Sequence, residues 1–391
     1  RRWLALQKVV RMEECERAPL RAEGDWQYDA ETLTAFRQKA NEQAAATLLN
    51  AGTESCERRS KECERPLSTA EELQLIVYHA QKLPELARLC NAPAEVTWTA
   101  TVYFRRFFLL RSPMEFDPLL MMFAVLHVAC KVEEVHEITL DVLLERSTMG
   151  AQGGAKSKIT TLELPLLEAI NFNLLTEPKP QSTLEMLTED IYGLGSSGRL
   201  GVTVSPEAWQ AASSHAEELI MRLAVSTDAL LQWPISAIVL AALWGSLEAS
   251  NHVQRGCLPD FVDQLLSTHL ESGQQRAASS RLVEEVLHQI DSLSDVQIWT
   301  EEGIENLTQL ARGCQKTFDV LRIEAAQRSE VKRQERKRRW SEMKASDRGR
   351  QQRLMELQMR IATPARSVHC RTSLASMEDD FALGRVDEDE D

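Results

Sequence analysis

The side chains best suited to chemistry with a partner are Lys131, Glu133 and Glu134, which follow an apolar run from Leu119 to Cys130. An ammonium group and carboxylates at the end of a helix can form ion pairs and charge-assisted hydrogen bonds with another protein. An apolar run without a polar face predicts a helix surrounded by protein, and a bilayer span would need about 20 such residues. The pattern therefore indicates a buried helix that carries a lysine and two carboxylates to a docking surface.

The sequence offers no grouping of residues typical of catalysis or metal binding. It has no glycine-rich phosphate loop and no Ser/His/Asp grouping, and its eight cysteines include no Cys-x-x-Cys pair. His127, on the apolar run, is expected to be a hydrogen-bonded core residue. We therefore expect a chain that is not an enzyme, binds no cofactor or metal, and keeps reduced thiols in the cytosol or nucleus.

Composition limits the remaining classes of protein. The chain has 391 residues, 43% of them hydrophobic, a formal net charge of −14 and a pI of about 5.2. An acidic body argues against a nucleic-acid binder, because phosphates need a basic face, and no apolar run is long enough for a membrane span. Arg1–Val10 is basic and apolar, which leaves open a transit segment there, a start at Met12, or a fragment.

The helices that must position these residues have start signals that recur in the two halves of the chain. In the first half, a capping box at Ser68–Glu71 is followed by prolines that begin helices at Pro93 and Pro118. The second half repeats the order with the signals Ser182–Glu185, Ser205-Pro206 and Pro234. Each half adds two further helices, so the sequence predicts an all-α fold of two tandem five-helix repeats with flanking N- and C-terminal helices.

The predicted organisation has six parts. They are an unassigned segment (1–25), an N-terminal helix and linker (26–65), the first repeat (66–176), the second repeat (177–295), a C-terminal helical region (296–360) and a disordered acidic tail (361–391). The last helix of the first repeat is expected over Ile159–Leu175, with a late start or a kink because Pro165 lies inside it.

The end of the C-terminal helical region is strongly basic. Between Val331 and Arg360 the sequence has 11 basic residues against 4 acidic ones. This stretch fits either a solvated basic helix or a nuclear import signal. Direct contact with DNA is a third interpretation, against which the acidic bulk of the chain argues. The residues of the import signal would be Arg336, Lys337, Arg338 and Arg339.

Several separate segments of the chain resemble the cyclin family. They are Trp26 before the first helix, Ala100–Leu109, Ser112–Phe116, Ala129–Glu134, Leu162–Leu174 and Ala224–Leu231. The resemblance spans most of Trp26–Leu293 and implies that the two repeats are cyclin boxes. Arg105 stands where many cell-cycle cyclins have Asp, which favours the transcription-type cyclins.

The resemblance implies a regulatory subunit that binds and activates a cyclin-dependent kinase catalytic subunit. It assigns the grip on the kinase to Lys131 and Glu163, while Glu133 and Glu134 are expected to be solvated and are further candidates for kinase contact. The implied assembly is the CDK-activating kinase, with a RING-finger assembly factor and the TFIIH core, acting in transcription and the cell cycle in the nucleus. Neither direct nucleic-acid contact nor a membrane is expected.

Three alternatives stay open at the level of sequence. A general transcription factor resembling TFIIB also has two cyclin-like repeats, but it needs basic faces and usually a zinc ribbon, neither of which is visible here. Another transcription-type cyclin, such as cyclin C, would bind a different kinase. A plain helical scaffold would bind no kinase at all.

Overall fold

A computed structural model of the chain describes residues 26–54, 65–147, 154–196, 205–253, 255–267, 273–293 and 300–362. All regular secondary structure in these ranges is helical, which confirms the predicted fold class. The unassigned segment 1–25 and the predicted acidic tail beyond residue 362 lie outside the described residues. The chain divides into two units, Arg1–Arg322 and Ile323–Asp391.

An N-terminal helix in the larger unit is followed by two successive sets of helices. Helix α1 (Ala30–Glu54) precedes the first set, which contains α2 (Thr69–Leu89), α3 (Ala94–Leu110), α4 (Pro118–Val132), α5 (Leu140–Arg146) and α6 (Ala155–Ala169). The second set contains α7 (Pro180–Ser196), α8 (Pro206–Ser226), the one-turn α9 (Ala229–Gln232), α10 (Ile235–Ala249), α11 (Leu258–Ser267) and α12 (Gly273–Ser292). A short 3₁₀ turn, Arg255–Cys257, precedes α11, and α13 covers Glu301–Ala362.

Local chemistry at the helix starts explains why these elements form where they do. Ser68 and Glu71 make the predicted capping box, in which the Ser68 side chain accepts from the Glu71 N–H and Glu71 accepts from the Ser68 N–H. Asp117 caps α4 by accepting from the N–H of Leu119 at 2.9 Å. Such caps satisfy backbone N–H groups that have no partner inside the helix, and each typically stabilises the fold by about 1 kcal/mol.

Two predicted helix boundaries are wrong. Ser182 is not a cap, because α7 already begins at Pro180. Helix α6 starts before Ile159, after Gly154 in the left-handed region (φ 85°), and it ends well before Leu175. The late start expected from Pro165 does not occur. Pro165 lacks the backbone N–H that would donate to the carbonyl four residues earlier. That carbonyl belongs to Thr161, an exposed residue, so the helix tolerates the loss of this hydrogen bond.

Each helix set has an apolar core built around one buried helix. Helix α4 in the first set and α10 in the second are buried along most of their length. The three phenylalanines of α3 belong to the first core and do not form a surface patch (Phe104, Phe107, Phe108). Trp98 and Val102, also on α3, join the core of the second set, so the two sets pack directly against each other.

The flanking helices pack onto the first set. Leu48 of α1 and Phe318 of α13 share a small apolar cluster with Met114 of the loop before α4. The Gln315 side chain donates to the carbonyl of Pro113 at 2.8 Å. The first part of α13, up to Arg322, therefore folds back onto the repeats, a point that the sequence left open.

Glu72 of α2 gives the fold a predicted pH dependence. Burial raises its pKa from 4.5 to about 7, against the lowering effect of hydrogen bonds from Ser112 and Asn41. The folded chain thus binds this proton more tightly than the unfolded chain. The resulting stability is fully present below pH 4.5 and is lost as the pH rises through 7. In urea unfolding, we expect the unfolding free energy to fall by about 2–3 kcal/mol from about pH 5 to about pH 8.

Glu72→Gln should remove most of that slope, because glutamine keeps the shape and does not titrate. An equal slope in the variant and the wild type would show that other groups cause the pH dependence.

Candidate functional site

The end of helix α4 is shaped by its backbone turn. The N–H of Val135 donates to the carbonyl of Cys130 at 2.8 Å, and Glu134 takes the left-handed conformation with φ 58°. This arrangement closes a helix C-terminus, but the left-handed residue is usually glycine or asparagine, so Glu134 holds it at some cost. The turn leaves Lys131 in the last turn of α4 and Glu134 exposed.

Lys131 and Glu163 form an ion pair between α4 and α6. The ammonium group donates to both carboxylate oxygens at 2.9 Å. The lysine side chain is 51% exposed and the glutamate 24%, so the pair lies at the surface. The two residues that the resemblance assigned to the kinase grip, 32 positions apart in sequence, are therefore in contact.

His127 is a third member of this cluster that sequence reasoning missed. Its Nε2 atom lies 3.3 Å from Glu163 Oε1, while its buried Nδ1 has no partner among the described residues. Burial lowers the pKa of His127, Lys131 lowers it further, and Glu163 opposes both. A neutral ring with its proton on Nε2 fits this geometry. The i, i+4 spacing of His127 and Lys131 was the signal that could have placed them on one face.

Glu133 is not the solvated carboxylate that the sequence suggested. Its Oε1 atom accepts from Lys179 Nζ at 2.5 Å and from Thr99 Oγ1 at 2.6 Å. Lys179 is buried and also donates to Thr176 Oγ1 at 2.8 Å. This network ties the end of α4 to the segment between the two helix sets, so Glu133 has a structural role whatever else it contacts.

Large apolar side chains are exposed on α6 and just after it. Leu164, Phe172 and Leu175 are 57%, 61% and 76% exposed. Leu164 directly follows Glu163 on the same helix. Large apolar side chains left exposed in this way are candidates for contact with another protein. The sequence did not reveal these residues as exposed, because they were assigned to a helix that was expected to continue to Leu175.

A second charged cluster joins α1, α3 and the start of α9. Asp228 accepts from Arg37 at 2.7 and 2.5 Å and from Arg105 Nη2 at 2.5 Å. Arg105 is 3% exposed and donates in addition to the carbonyl of Thr227 at 2.6 Å. Burial alone would raise the pKa of Asp228, but Arg105 and Arg37 together hold it below its usual value. Arg105, noted in the sequence only as an unusual residue, thus holds the two helix sets together.

The described part of the chain gives no sign of other chemistry. It contains no group of three or more His, Cys, Asp and Glu side chains placed to hold a metal ion. None of the helices within the described ranges has the length and apolar character needed to cross a membrane.

Comparison with known proteins identifies the class of the first helix set. Residues 69–175, which cover α2 to α6, match the family model described as "Cyclin, N-terminal domain". This region is therefore a cyclin N-terminal domain, and within it the resemblance to the cyclin family is confirmed. Lys131 and Glu163 both lie within it.

Two proteins with sequences similar to this chain carry the name cyclin-H. The chain is 33% identical over 150 residues to "Putative cyclin-H" of Dictyostelium discoideum, covering 38% of this chain and 48% of the relative. It is 28% identical over 221 residues to "Cyclin-H" of Xenopus laevis, covering 54% and 64%. The matched segments thus span less than two thirds of either relative.

A solved structure shares the fold over a longer stretch. A chain of the CAK complex from Chaetomium thermophilum bound to ATP-gamma-S has a TM-score of 0.63 at 20% identity, covering 78% of this chain and 91% of that one. At this identity the likeness concerns the fold. It extends well beyond residues 69–175.

Proposed function

We propose that this chain is a cyclin H-like regulatory subunit that binds and activates a cyclin-dependent kinase. The observation that carries the proposal is the exposed Lys131–Glu163 pair on a cyclin N-terminal domain. One N–H of the ammonium group has no acceptor among the described residues and can donate to a carbonyl at the end of a partner helix. The exposed apolar residues Leu164, Phe172 and Leu175 of the same domain offer further contact area.

The chain itself supplies no reacting group in this proposal. It binds the active arrangement of the kinase more tightly than the inactive one and so shifts the population toward the active state. The proposed assembly is the CDK-activating kinase, with a RING-finger assembly factor and the TFIIH core, and its work would lie in transcription and the cell cycle. The similarity to relatives named cyclin-H supports this choice among transcription-type cyclins.

Co-expression with transcription-type kinase catalytic subunits tests the proposal. We expect a stable complex with the CDK-activating catalytic subunit, and phosphorylation of a kinase activation loop that depends on this chain. Stimulation of a different transcription-type kinase would point to a cyclin C-like role. Failure to stimulate any of them, with a shift of promoter DNA in a gel at moderate salt, would favour the TFIIB-like alternative.

We also propose that the basic run Arg336–Arg339 is a nuclear import signal, supported by its exposure on α13. Replacing Arg336, Lys337, Arg338 and Arg339 by alanine should move a fluorescent fusion of the full chain out of the nucleus. Replacing Arg348, Arg350 and Arg353 instead is the control for loss of positive charge. Unchanged nuclear accumulation in the first variant would contradict the assignment.

A further inference from the structure

Ser341 of α13 follows a pair of arginines. Arg338 and Arg339 stand three and two positions before it, and no other serine or threonine of the 391 residues has arginine at both of these positions. Protein kinases select their substrates partly by charge pattern, and a guanidinium group forms paired hydrogen bonds with carboxylates. Ser341 therefore has the neighbours by which a kinase with acidic pockets recognises its substrate.

Ser341 and the residues just before it are open to solvent. Arg338, Arg339, Trp340 and Ser341 are all exposed on α13. The Ser341 hydroxyl donates to the carbonyl of Arg338 at 2.7 Å, about one turn earlier on the same helix. Because this hydrogen bond is local, the hydroxyl can turn toward a kinase without any change in a packed core.

The contacts that α13 would lose on opening around Ser341 are weak. Arg338 Nε lies 3.2 Å from Glu342 Oε1, and both side chains are exposed. Lys344 Nζ lies 3.5 Å from the centre of the Trp340 ring. An exposed ion pair contributes little to stability, and segments with few buried contacts open at a low cost in free energy. The helix can therefore present this segment to a kinase cleft in an extended form.

Ser329 gives a matched comparison on the same helix. It is exposed, and its hydroxyl donates to the carbonyl of Ala326 at 2.8 Å, the same bond three residues back that Ser341 makes. The residues three and two positions before it are Ala326 and Gln327. The two serines thus share their local geometry and differ in the arginine pair.

We propose that Ser341 is a phosphorylation site for an arginine-directed protein kinase that uses ATP. The Ser341 Oγ atom attacks the γ-phosphorus, so an O–P bond forms while the bond from that phosphorus to the oxygen of ADP breaks. The hydroxyl proton passes to a base of the kinase, and ADP leaves. Carboxylates of the kinase hold Arg338 and Arg339 during the transfer.

A phosphate on Ser341 lies among cations of the same helix. Arg338 and Lys344 are three residues away on either side and Lys337 is four residues away, so all three are within reach on one side of the helix. The phosphate adds about 1.5 to 2 negative charges, which offset up to about half of the four positive charges of Arg336–Arg339. Phosphorylation therefore weakens nuclear import, a consequence that rests on the proposed import signal.

Phosphorylation of the purified full chain tests the site itself. The probe is the catalytic subunit of cyclic-AMP-dependent protein kinase, which is arginine-directed, with magnesium and ATP. We expect mass spectrometry to locate the phosphate on Ser341. Ser341→Ala should abolish the incorporation, and Ser329→Ala should leave it unchanged. Equal incorporation into Ser341→Ala and the wild type, or none into the wild type, would overturn the proposal.

Removal of the arginines tests the recognition. Arg338→Gln and Arg339→Gln should each lower kcat/KM for phosphorylation of Ser341 at least about 10-fold, because each loses a charge-assisted contact with the kinase. Arg348→Gln combined with Arg350→Gln removes two exposed arginines beyond Ser341 and should leave kcat/KM unchanged. Equal losses in the two sets of variants would show that overall charge, and not the arginine pair, selects this serine.

A fluorescent fusion of the full chain tests the consequence for import. Ser341→Asp should lower the nuclear fraction, while Ser329→Asp should not. A nuclear fraction that Ser341→Asp leaves unchanged, where alanine replacement of Arg336–Arg339 lowers it, would overturn the effect on import. Import that survives the alanine replacement would overturn the import signal and this effect with it. The phosphorylation assay contains no cyclin-dependent kinase, so its outcome is independent of the proposed function.

Discussion

Lys131→Ala is expected to raise the concentration of this chain needed for half-maximal kinase activation by about 30-fold. Lys131 is the cation that pairs with Glu163 between α4 and α6, and its removal leaves the Glu163 carboxylate facing the partner without this counter-ion. The fold should be unaffected, because a surface ion pair of this kind contributes at most about 1 kcal/mol. The measurement is kinase activity titrated with wild-type or variant chain at limiting concentration.

Lys156→Ala is the matched control. Lys156 pairs with Asp141 at 2.6 Å between α5 and α6, and both side chains are exposed. The Lys156→Ala substitution therefore removes a lysine from a similar pair between two helices that does not include Lys131 or Glu163. It should leave kinase activation unchanged. If Lys131→Ala activated the kinase as well as the wild type did, the assignment of the binding site to the Lys131–Glu163 pair would be wrong.

Asp228→Ala is expected to lower the free energy of unfolding by about 3–5 kcal/mol. The substitution leaves Arg105 buried without a carboxylate and removes the anchor of Arg37 on α1. Burial of an unpaired charge is among the costliest single changes in a folded protein, because the desolvation of the ion is no longer offset. Chemical denaturation followed by circular dichroism measures the loss.

Two further variants separate this effect from the loss of any surface pair. Asp263→Ala removes an exposed carboxylate from its pair with the partly buried Arg276 and should cost about 1 kcal/mol or less. Adding Arg105→Met to Asp228→Ala should recover part of the loss, because the buried cation is removed with its partner. A double variant less stable than Asp228→Ala alone would contradict the account of Arg105 as a buried charge that needs this carboxylate.

The helices and their order along the chain could be predicted from the sequence, whereas the residues at which some helices end could not. Capping residues, prolines and apolar periodicity are local signals, so they fixed the starts of α2, α4 and α8 from a few adjacent residues. The end of α6 was missed because Asn171 and Phe172 adopt left-handed conformations. A phenylalanine in that conformation is uncommon and has no sequence signature; here backbone hydrogen bonds from Asn171 and Phe172 to the last turn of the helix close its end.

The candidate site was predictable only as far as the resemblance reached. The resemblance to the cyclin family named Lys131 and Glu163. Only the structure showed that the two side chains are in contact, at 2.9 Å. Glu133 looked equivalent to its neighbours in sequence, but its partner Lys179 lies 46 residues away. Nothing local to either residue distinguishes a solvated carboxylate from one bound to a buried lysine.

The sequence alone determined the all-helical class, the buried character of α4 and the presence of a cation at its end, because hydrophobic pattern and helix capping act over a few residues. The tertiary structure decided which charges are paired with one another. The Arg105–Asp228 contact joins residues 123 positions apart. Such pairs form because packing two helix sets buries both groups together, and that burial depends on the whole fold.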